Sequence, residues 1–338
     1  MNKKRTTIKD IANVLKISPA AVSKALHDDP RISVKTKAAV KRVAEELNYQ
    51  PNHLASALRK GKSNLVGVIV PRTNSNFFSS VLQNMEEVLN KEGYNIIITH
   101  SNESFKKECS NIDTLLFTQV DGIIASMANE TVDLSYYEKV KSKGIPLILF
   151  DRGENDLNVD YIGINDYDSS HVIIAHLIAK GCKRIAHIGG YRRTRIFNNR
   201  IRGYIDAVKK HQLPYEDELL LESNLTLEDG REKMLALLQL EQRPDAVYVA
   251  SDHAALGALQ ILNEQNIRVP EEIRLVGFGN EPFTSLVTPT LSSINQHSDK
   301  IGKLAAETFL KRVNTPNLKQ SLNKIILDAE LIVRDSSG

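Results

Sequence analysis

Side chains that could do chemistry are sparse in this chain, and their types favour binding over catalysis. There is no nucleophile elbow, no phosphate-cradling glycine loop and no metal cluster of the H-E-x-x-H kind. The nine histidines are scattered, and His171 and His176, five apart on one helical pattern, do not share a face. Cys109 and Cys182 form neither a metal spacing nor a disulfide framework, which fits a reducing, cytosolic compartment. No metal or cofactor is expected. What remains is a set of ionic groups at the ends of apolar runs. Asp151 and Arg152 directly follow Pro146–Phe150, and Asp252 follows Asp245–Val249. Phe77 opens the amphipathic stretch after the first apolar run and can wall a pocket there. A guanidinium offers five donors in a planar fork suited to hydroxyl pairs, carboxylates or phosphates. The duller roles are a turn residue for Asp151, a helix cap for Asp252 and core packing for Phe77.

Charge separates the chain into two parts. Residues 1–63 carry 14 Lys/Arg against 5 Asp/Glu, which leaves 30 basic and 36 acidic residues in 64–338. A basic head on an acidic body points to a polyanionic partner for the head alone. The competing reading is a solvated basic tail. No apolar run approaches the ~18 residues needed to span a bilayer, so no membrane partner is expected. The first twenty residues lack the apolar stretch of a secretory signal.

The pattern inside the head decides against a tail. Thr7 can cap a helix over Ile8–Leu15, with Ile8, Ile11, Ala12 and Leu15 at helical spacing. After a break at Lys16-Ile17, Ser18 is an N-cap and Pro19 occupies the first helical position, where its missing N–H costs nothing. The helix Pro19–Leu26 turns Val22, Ala25 and Leu26 inward and offers Ala20, Ser23 and Lys24 on its other face. A third helix starts after Ser33 and runs to about Leu47. Two short helices joined by a tight turn, braced by a third, predict a helix-turn-helix DNA reader. Gln50-Pro51 ends the third helix, and Asn52 can cap a short helix over His53–Arg59, too short to be stable alone.

From Leu65 onward, short apolar runs alternate with amphipathic stretches. The predicted strands are Leu65–Val70, Tyr94–Thr99, Gly122–Ala125, Pro146–Phe150, Tyr161–Gly163, Arg184–Ile188, Asp245–Val249, Arg274–Val276 and Leu291–Ile294, with Glu330–Val333 strand-like at the end. Helical patterns include Phe77–Lys91, Asp168–Lys180, Arg195–His211, Leu227–Leu240, Ala254–Gln265 and Lys300–Lys311. Continuous apolar strands separated by helices mean parallel sheets covered on both faces.

The blocks TIKDIANVLKISPAAVSKAL, from Thr7 to Leu26, and NYQPNHLASALRKG, from Asn48 to Gly61, resemble the lactose-repressor (LacI/GalR) family. The match is unbroken from Thr7 to Pro71 and continues more weakly to about Arg334. The resemblance implies an all-α helix-turn-helix head (1–50) and a hinge helix with linker (51–63). It also implies an α/β body (64–338) like periplasmic binding proteins, with two lobes built on doubly wound parallel sheets. The N-lobe is expected over about 64–164 and 292–322, and the C-lobe over about 165–291 and 323–338. Pro19–Leu26 becomes the recognition helix. Pro19, Ala20 and Lys24 would face major-groove bases, with Lys24 donating to guanine and Ala20 touching a thymine methyl. Thr7, Ser18, Ser23, Ser33 and Asn52 become candidate phosphate contacts. Leu58 occupies the position of a leucine that wedges into the central minor groove when two hinge helices meet on DNA, which implies a homodimer on double-stranded operator DNA.

In the body, Arg200 lies in a match to the family's R-x-x-G pattern and would hold ligand oxygens; its duller role is a surface charge. Its replacement is expected to leave stability unchanged. Leu225 aligns with a position often aromatic in relatives. Gly279, beside Asn280, stands where relatives carry an acid. The missing acid, Arg152 and the cluster Arg192, Arg193 and Arg195 shift the expected effector toward a phosphorylated sugar or sugar acid. The resulting expectation is a cytoplasmic repressor, not an enzyme, gated by a sugar-like effector. The alternatives are a sugar-binding transport protein and a sugar-modifying enzyme, each with an accessory DNA-binding head.

Overall fold

The computed structural model describes residues 6–49, 62–315 and 321–338. The chain divides into two compact units, Met1–Ser63 and Asn64–Gly338. Asn52, Leu58 and the expected hinge helix lie outside the described residues.

The head contains α1 (Ile8–Leu15), α2 (Pro19–Leu26) and α3 (Val34–Glu46). Lys16 takes φ +53 and ends α1, while the Ser18 hydroxyl accepts from Ala21 N at 3.2 Å and starts α2. Ile11, Ala12, Val22, Ala25, Val40, Val43 and Ala44 form the head's core. Three short helices cannot persist singly in water, so this shared apolar seam holds them.

The body carries two six-stranded sheets. The first has order β11-β5-β4-β3-β1-β2, where β1 is Leu65–Val70, β2 Asn95–His100, β3 Gly122–Ala125, β4 Leu147–Phe150, β5 Asp160–Ile164 and β11 Lys324–Leu327. The second has order β12-β10-β9-β8-β6-β7, where β6 is Ile185–Gly190, β7 Leu220–Ser223, β8 Ala246–Val249, β9 Arg274–Phe278, β10 Ser292–Asn295 and β12 Glu330–Ile332. All pairings are parallel except β10 with β12. The helices are α4 (Asn76–Lys91), α5 (Phe105–Phe117), α6 (Ser135–Ser142), α7 (Asp166–Ala179), α8 (Arg195–Lys210), α9 (Leu227–Leu238), α10 (Asp252–Glu264) and α11 (Ser298–Asn314). The central strands β3, β4, β5, β6 and β8 are buried along their whole length, as unbroken apolar strands in covered parallel sheets require. Among the described residues, no helix is long and apolar enough to cross a membrane.

The lobe crossings fall later than expected. Strand β10 pairs with β9, so it belongs to the second sheet, and the chain leaves that lobe only after Asn295. His297, at φ +54, turns it into α11, which packs on α4 of the first lobe. Strand β11 then pairs with β5, so 324–327 also belong to the first lobe rather than the second. Ser292 and Asn323 mark where these strands begin, and a paired strand must run its length before the chain can cross.

Candidate functional site

Parallel strands expose their C-terminal ends along one edge of each sheet, and there the two lobes enclose a cleft of about 370 Å³. The first lobe contributes Arg72 and Ser75 from the loop after β1, Phe77 and Phe78 from the start of α4, and Asp151 and Arg152 after β4. The second contributes Phe197 and Arg200 on α8, Leu225 before α9, Asp252 at the start of α10, Phe278 at the end of β9, and Gly279 and Glu281 after it. Phe77, Asp151, Arg152, Arg200, Leu225, Asp252 and Gly279 therefore meet in one place.

Asn280 does not join them. Its backbone N–H donates to Ser293 Oγ at 2.9 Å, and its side-chain oxygen accepts from Arg334 Nη2 at 2.7 Å. Gly279 and Asn280 both take positive φ just after the strand end, and the Asn280 side chain is turned to Arg334. The Arg192–Arg195 loop is likewise outside the cleft. Arg192 donates to Glu222, Arg193 lies over Tyr191, and Arg195 lies over Tyr161 and donates to Gly153 O at 3.2 Å.

Arg200 is a buried group, not a surface charge. Its Nε donates to Asp166 Oδ1 at 2.8 Å, its Nη1 to Ala250 O at 3.2 Å, and its guanidinium lies 3.6 Å from the centroid of Phe278. Asp166 is buried too, and burial raises its pKa against the pull of Arg200. Removing Arg200 would take away the guanidinium bonded to that buried carboxyl, which argues against the expectation that stability changes little.

Arg152 Nη1 donates to Glu103 Oε2, and Arg72 Nε to Glu103 Oε1, both at 2.7 Å. Burial opposes the charge on Glu103, yet Arg152, the Asn129 amide and Arg72 together hold its pKa below the usual value. One carboxylate thus serves two guanidinium groups.

Asp151 and Asp252 are desolvated. Burial pushes Asp151 up to about 6, opposed by Arg152 and Arg200. Burial likewise pushes Asp252 up to about 6, opposed by Ser293 and the Glu281 amide. Asp252 Oδ1 accepts from Ser293 Oγ at 2.7 Å, and Oδ2 from Glu281 N at 2.8 Å. It therefore ties the loop after β9 to strand β10, whereas Ser251 holds the cap position of its helix. That brace explains two glycines. A Cβ on Gly277 would come within 2.2 Å of Asp252 Oδ1. Gly279 sits at φ +134, a region that side chains rarely adopt, with its Cβ direction 3.3 Å from Asp252 Oδ2. An acid at 279 would be strained and would face a second carboxylate.

Sequence reasoning missed Arg72, Phe78, Phe197, Phe278 and Glu281. Arg72 closely follows an apolar run, the same signal that singled out Asp151. The phenylalanines read as ordinary core.

In the head, Pro19, Ala20 and Lys24 are exposed on one side of α2 and Ser23 is half-buried, while Val22 and Ala25 are buried. Thr7 N and Oγ1 both donate to Asp10 Oδ2 at 2.7 Å, and Ser33 Oγ accepts from Thr36 N at 3.2 Å. Thr7, Ser18 and Ser33 thus sit at the starts of the three helices.

Residues 7–52 match the model for bacterial regulatory proteins of the lacI family, and residues 174–337 match a periplasmic binding protein-like domain. The chain is 31% identical over 334 residues to the "Probable HTH-type transcriptional repressor ExuR" of Bacillus subtilis (strain 168), covering 98% of each chain. It is 29% identical over 330 residues to the ribose operon repressor of Haemophilus influenzae, again covering 98% of each. The fold matches the lac repressor dimer bound to operator and the anti-inducer ONPF, with a TM-score of 0.86, 22% identity and 99% coverage of both chains. A full-length relative above 30% identity, together with a helix-turn-helix head and a two-lobed α/β body, places this chain in the LacI family of DNA-binding transcriptional regulators.

Proposed function

We propose that the protein is a homodimeric repressor whose grip on operator DNA is set by a small polyhydroxylated acid, a sugar acid or sugar phosphate, held in the cleft. The observation that carries the effector class is the pairing of Arg72 and Arg152 with the single carboxylate of Glu103. Arg152 also lies 3.8 Å from Asp151 Oδ2, but among the described residues its buried Nε has no hydrogen-bond partner, so a ligand carboxylate or phosphate can accept a charge-assisted bond from this wall. Asp151 offers an acceptor for ligand hydroxyls, and the rings of Phe77, Phe197 and Phe278 offer apolar faces for a sugar's C–H surface. The Haemophilus influenzae relative, a ribose operon repressor, agrees with a sugar-derived ligand.

The cleft is built to bind rather than to react. Asp252, Asp166 and Glu103 are each committed to hydrogen bonds that hold loops or arginines in place. On the head, Pro19, Ala20 and Lys24 face base edges, while Thr7, Ser18 and Ser23 take phosphates.

Bonds at the cleft rim join the lobes and give the effector something to change. Ser75 Oγ donates to Glu281 Oε1 at 3.3 Å, and Thr194 Oγ1 to Asn129 Oδ1 at 3.1 Å. Glu103 also accepts from Asn129 N at 2.9 Å, so a ligand that draws Arg152 away from Glu103 perturbs the residue that joins the lobes. Differential contact with two lobe arrangements is what shifts a population, and a few kcal/mol of coupling suffices.

The test is calorimetric titration of the full-length protein with matched neutral sugars, sugar acids and sugar phosphates. The reading predicts that an acid or phosphate binds at least tenfold more tightly than its neutral parent, and that Arg72→Ala removes the difference. Equal affinities for neutral and charged forms would overturn the effector class.

A further inference from the structure

The loop that follows the recognition helix carries an ion pair that neither the sequence reading nor the family match accounts for. Arg31 makes three hydrogen bonds to one side chain. Its N–H donates to Asp29 Oδ1 at 2.9 Å, its Nε to Oδ1 at 3.0 Å and its Nη2 to Oδ2 at 2.8 Å. Arg31 thereby holds the Asp29 carboxyl far below the usual carboxylate range. The two side chains are unequal in exposure: Asp29 is 16% exposed and Arg31 is 75% exposed. The acid is tucked in and the guanidinium is held out.

The support beneath the pair is itself fixed. Asp29 N donates to Lys24 O at 3.0 Å, closing the end of α2, and Asp29 O accepts from Ile32 N at 3.1 Å. Ser23, Lys24, His27, Asp29 and Arg31 line one shallow groove on the exposed side of the head. Arg31 therefore shares a surface with Lys24.

An exposed ion pair contributes little to stability. A carboxylate on a surface that meets a polyanion is unfavourable unless something neutralises it. Both facts make the pair costly to explain as a fold element. Its geometry explains it in another way. Asp29 uses the Nε side of the guanidinium, which leaves the end-on Nη1/Nη2 edge unoccupied by that carboxylate. That edge matches a pair of acceptors, either guanine O6/N7 or two phosphate oxygens. A rotamer already fixed in the free protein loses less entropy on contact.

We infer that Arg31 is an operator-contacting residue beside the recognition helix, and that Asp29 is the positioning residue that aims it. The contact makes a two-acceptor bridge through the end-on edge of the guanidinium. Removing Asp29 loosens the arginine even though it removes a negative charge from the DNA-binding face.

The experiment uses the full-length protein and two probes: the duplex it selects from a randomised pool, and a random-sequence duplex of equal length. Arg31→Ala is expected to weaken binding to the selected duplex about tenfold or more, and Arg31→Lys to rescue only part of this, because a point charge cannot bridge two acceptors. Asp29→Asn keeps the local turn acceptor for Arg31 N but loses the charge and one carboxylate oxygen. It is expected to weaken binding to the selected duplex several-fold while leaving the random duplex equal or slightly tighter. The double variant should bind no worse than Arg31→Ala alone. Thermal melting of each variant checks that the head is folded. Loss of preference at one base pair in Arg31→Ala assigns the acceptor pair to guanine. A uniform loss with a shallower salt dependence assigns it to phosphate. The inference is overturned if Asp29→Asn tightens both duplexes alike, since the acid would then only repel DNA. It is also overturned if Arg31→Ala leaves both affinities unchanged.

Discussion

At the scale of single residues, Arg200 shows how burial changes what a site residue means. With Asp166 Oδ1 at 2.8 Å and both side chains almost fully buried, the pair is part of the lobe's structure as well as part of the cleft wall. Breaking a buried pair from one side costs about 3–5 kcal/mol, because the partner is left uncompensated. Arg200→Ala should therefore lower the unfolding free energy of the ligand-free protein, measured in urea, by that order, and Asp166→Asn in the same chain should restore part of it. An unchanged unfolding free energy would show that the pair adds nothing net to the stability of the lobe. Asp252 permits a pH test with a definite sign. Its pKa rises from 3.8 to about 6 through burial, so the native state keeps a proton that the unfolded chain has released. Its contribution to stability is greatest below pH 3.8 and is lost as pH rises through about 6. Asn cannot titrate, so unfolding free energies of wild type and Asp252→Asn should move apart between pH 4 and pH 7. The wild type should lose about 2–3 kcal/mol relative to the variant. Parallel pH profiles would show that Asp252 is charged throughout. The sequence located Asp151, Arg152 and Asp252 because polar groups interrupt apolar runs there. It did not reveal Asp166 or Glu103, whose roles depend on which arginine lies opposite.

At the scale of elements, legibility followed burial and local chemistry. The bounds of α1 and α2 were readable because Thr7 and Ser18-Pro19 are strong start signals and the helices end in unambiguous turns. Central strands were readable as unbroken apolar runs. Strands β7 and β11 were not anticipated, because an edge strand pairs on one side only and these two are short and partly exposed. The pairing of β10 with β9 also escaped the sequence, since its register is set by the neighbouring strand and not by its own residues. The loop after β9 makes an element-scale prediction. Gly277 has no room for a side chain against Asp252, and Gly279 at φ +134 takes a backbone conformation that side chains rarely adopt. Gly279→Ala should cost on the order of 1–3 kcal/mol in urea unfolding, as expected for a non-glycine residue forced into a glycine-only region. Effector affinity should fall as well, because the strain falls on the loop that holds Glu281 and Asp252. A neutral effect on both would mean that the loop can relax without disturbing the cleft.

At the scale of the whole molecule, the head and the body carry separable tasks that must be coupled to make a regulator. The basic surplus lies in 1–63 and the cleft lies in 64–338. The body supplies a site whose rim bonds, Ser75 to Glu281 and Thr194 to Asn129, join two lobes. Coupling between cleft and DNA is reciprocal, so each ligand must change the affinity of the other by the same factor. The most direct measurement is therefore a pair of titrations on the full-length protein. One measures affinity for the selected duplex with and without saturating cleft ligand, and the other measures cleft-ligand affinity with and without saturating duplex. The account predicts a change of at least tenfold in the first and an equal factor in the second. A ligand that binds the cleft tightly while leaving duplex affinity unchanged would contradict it.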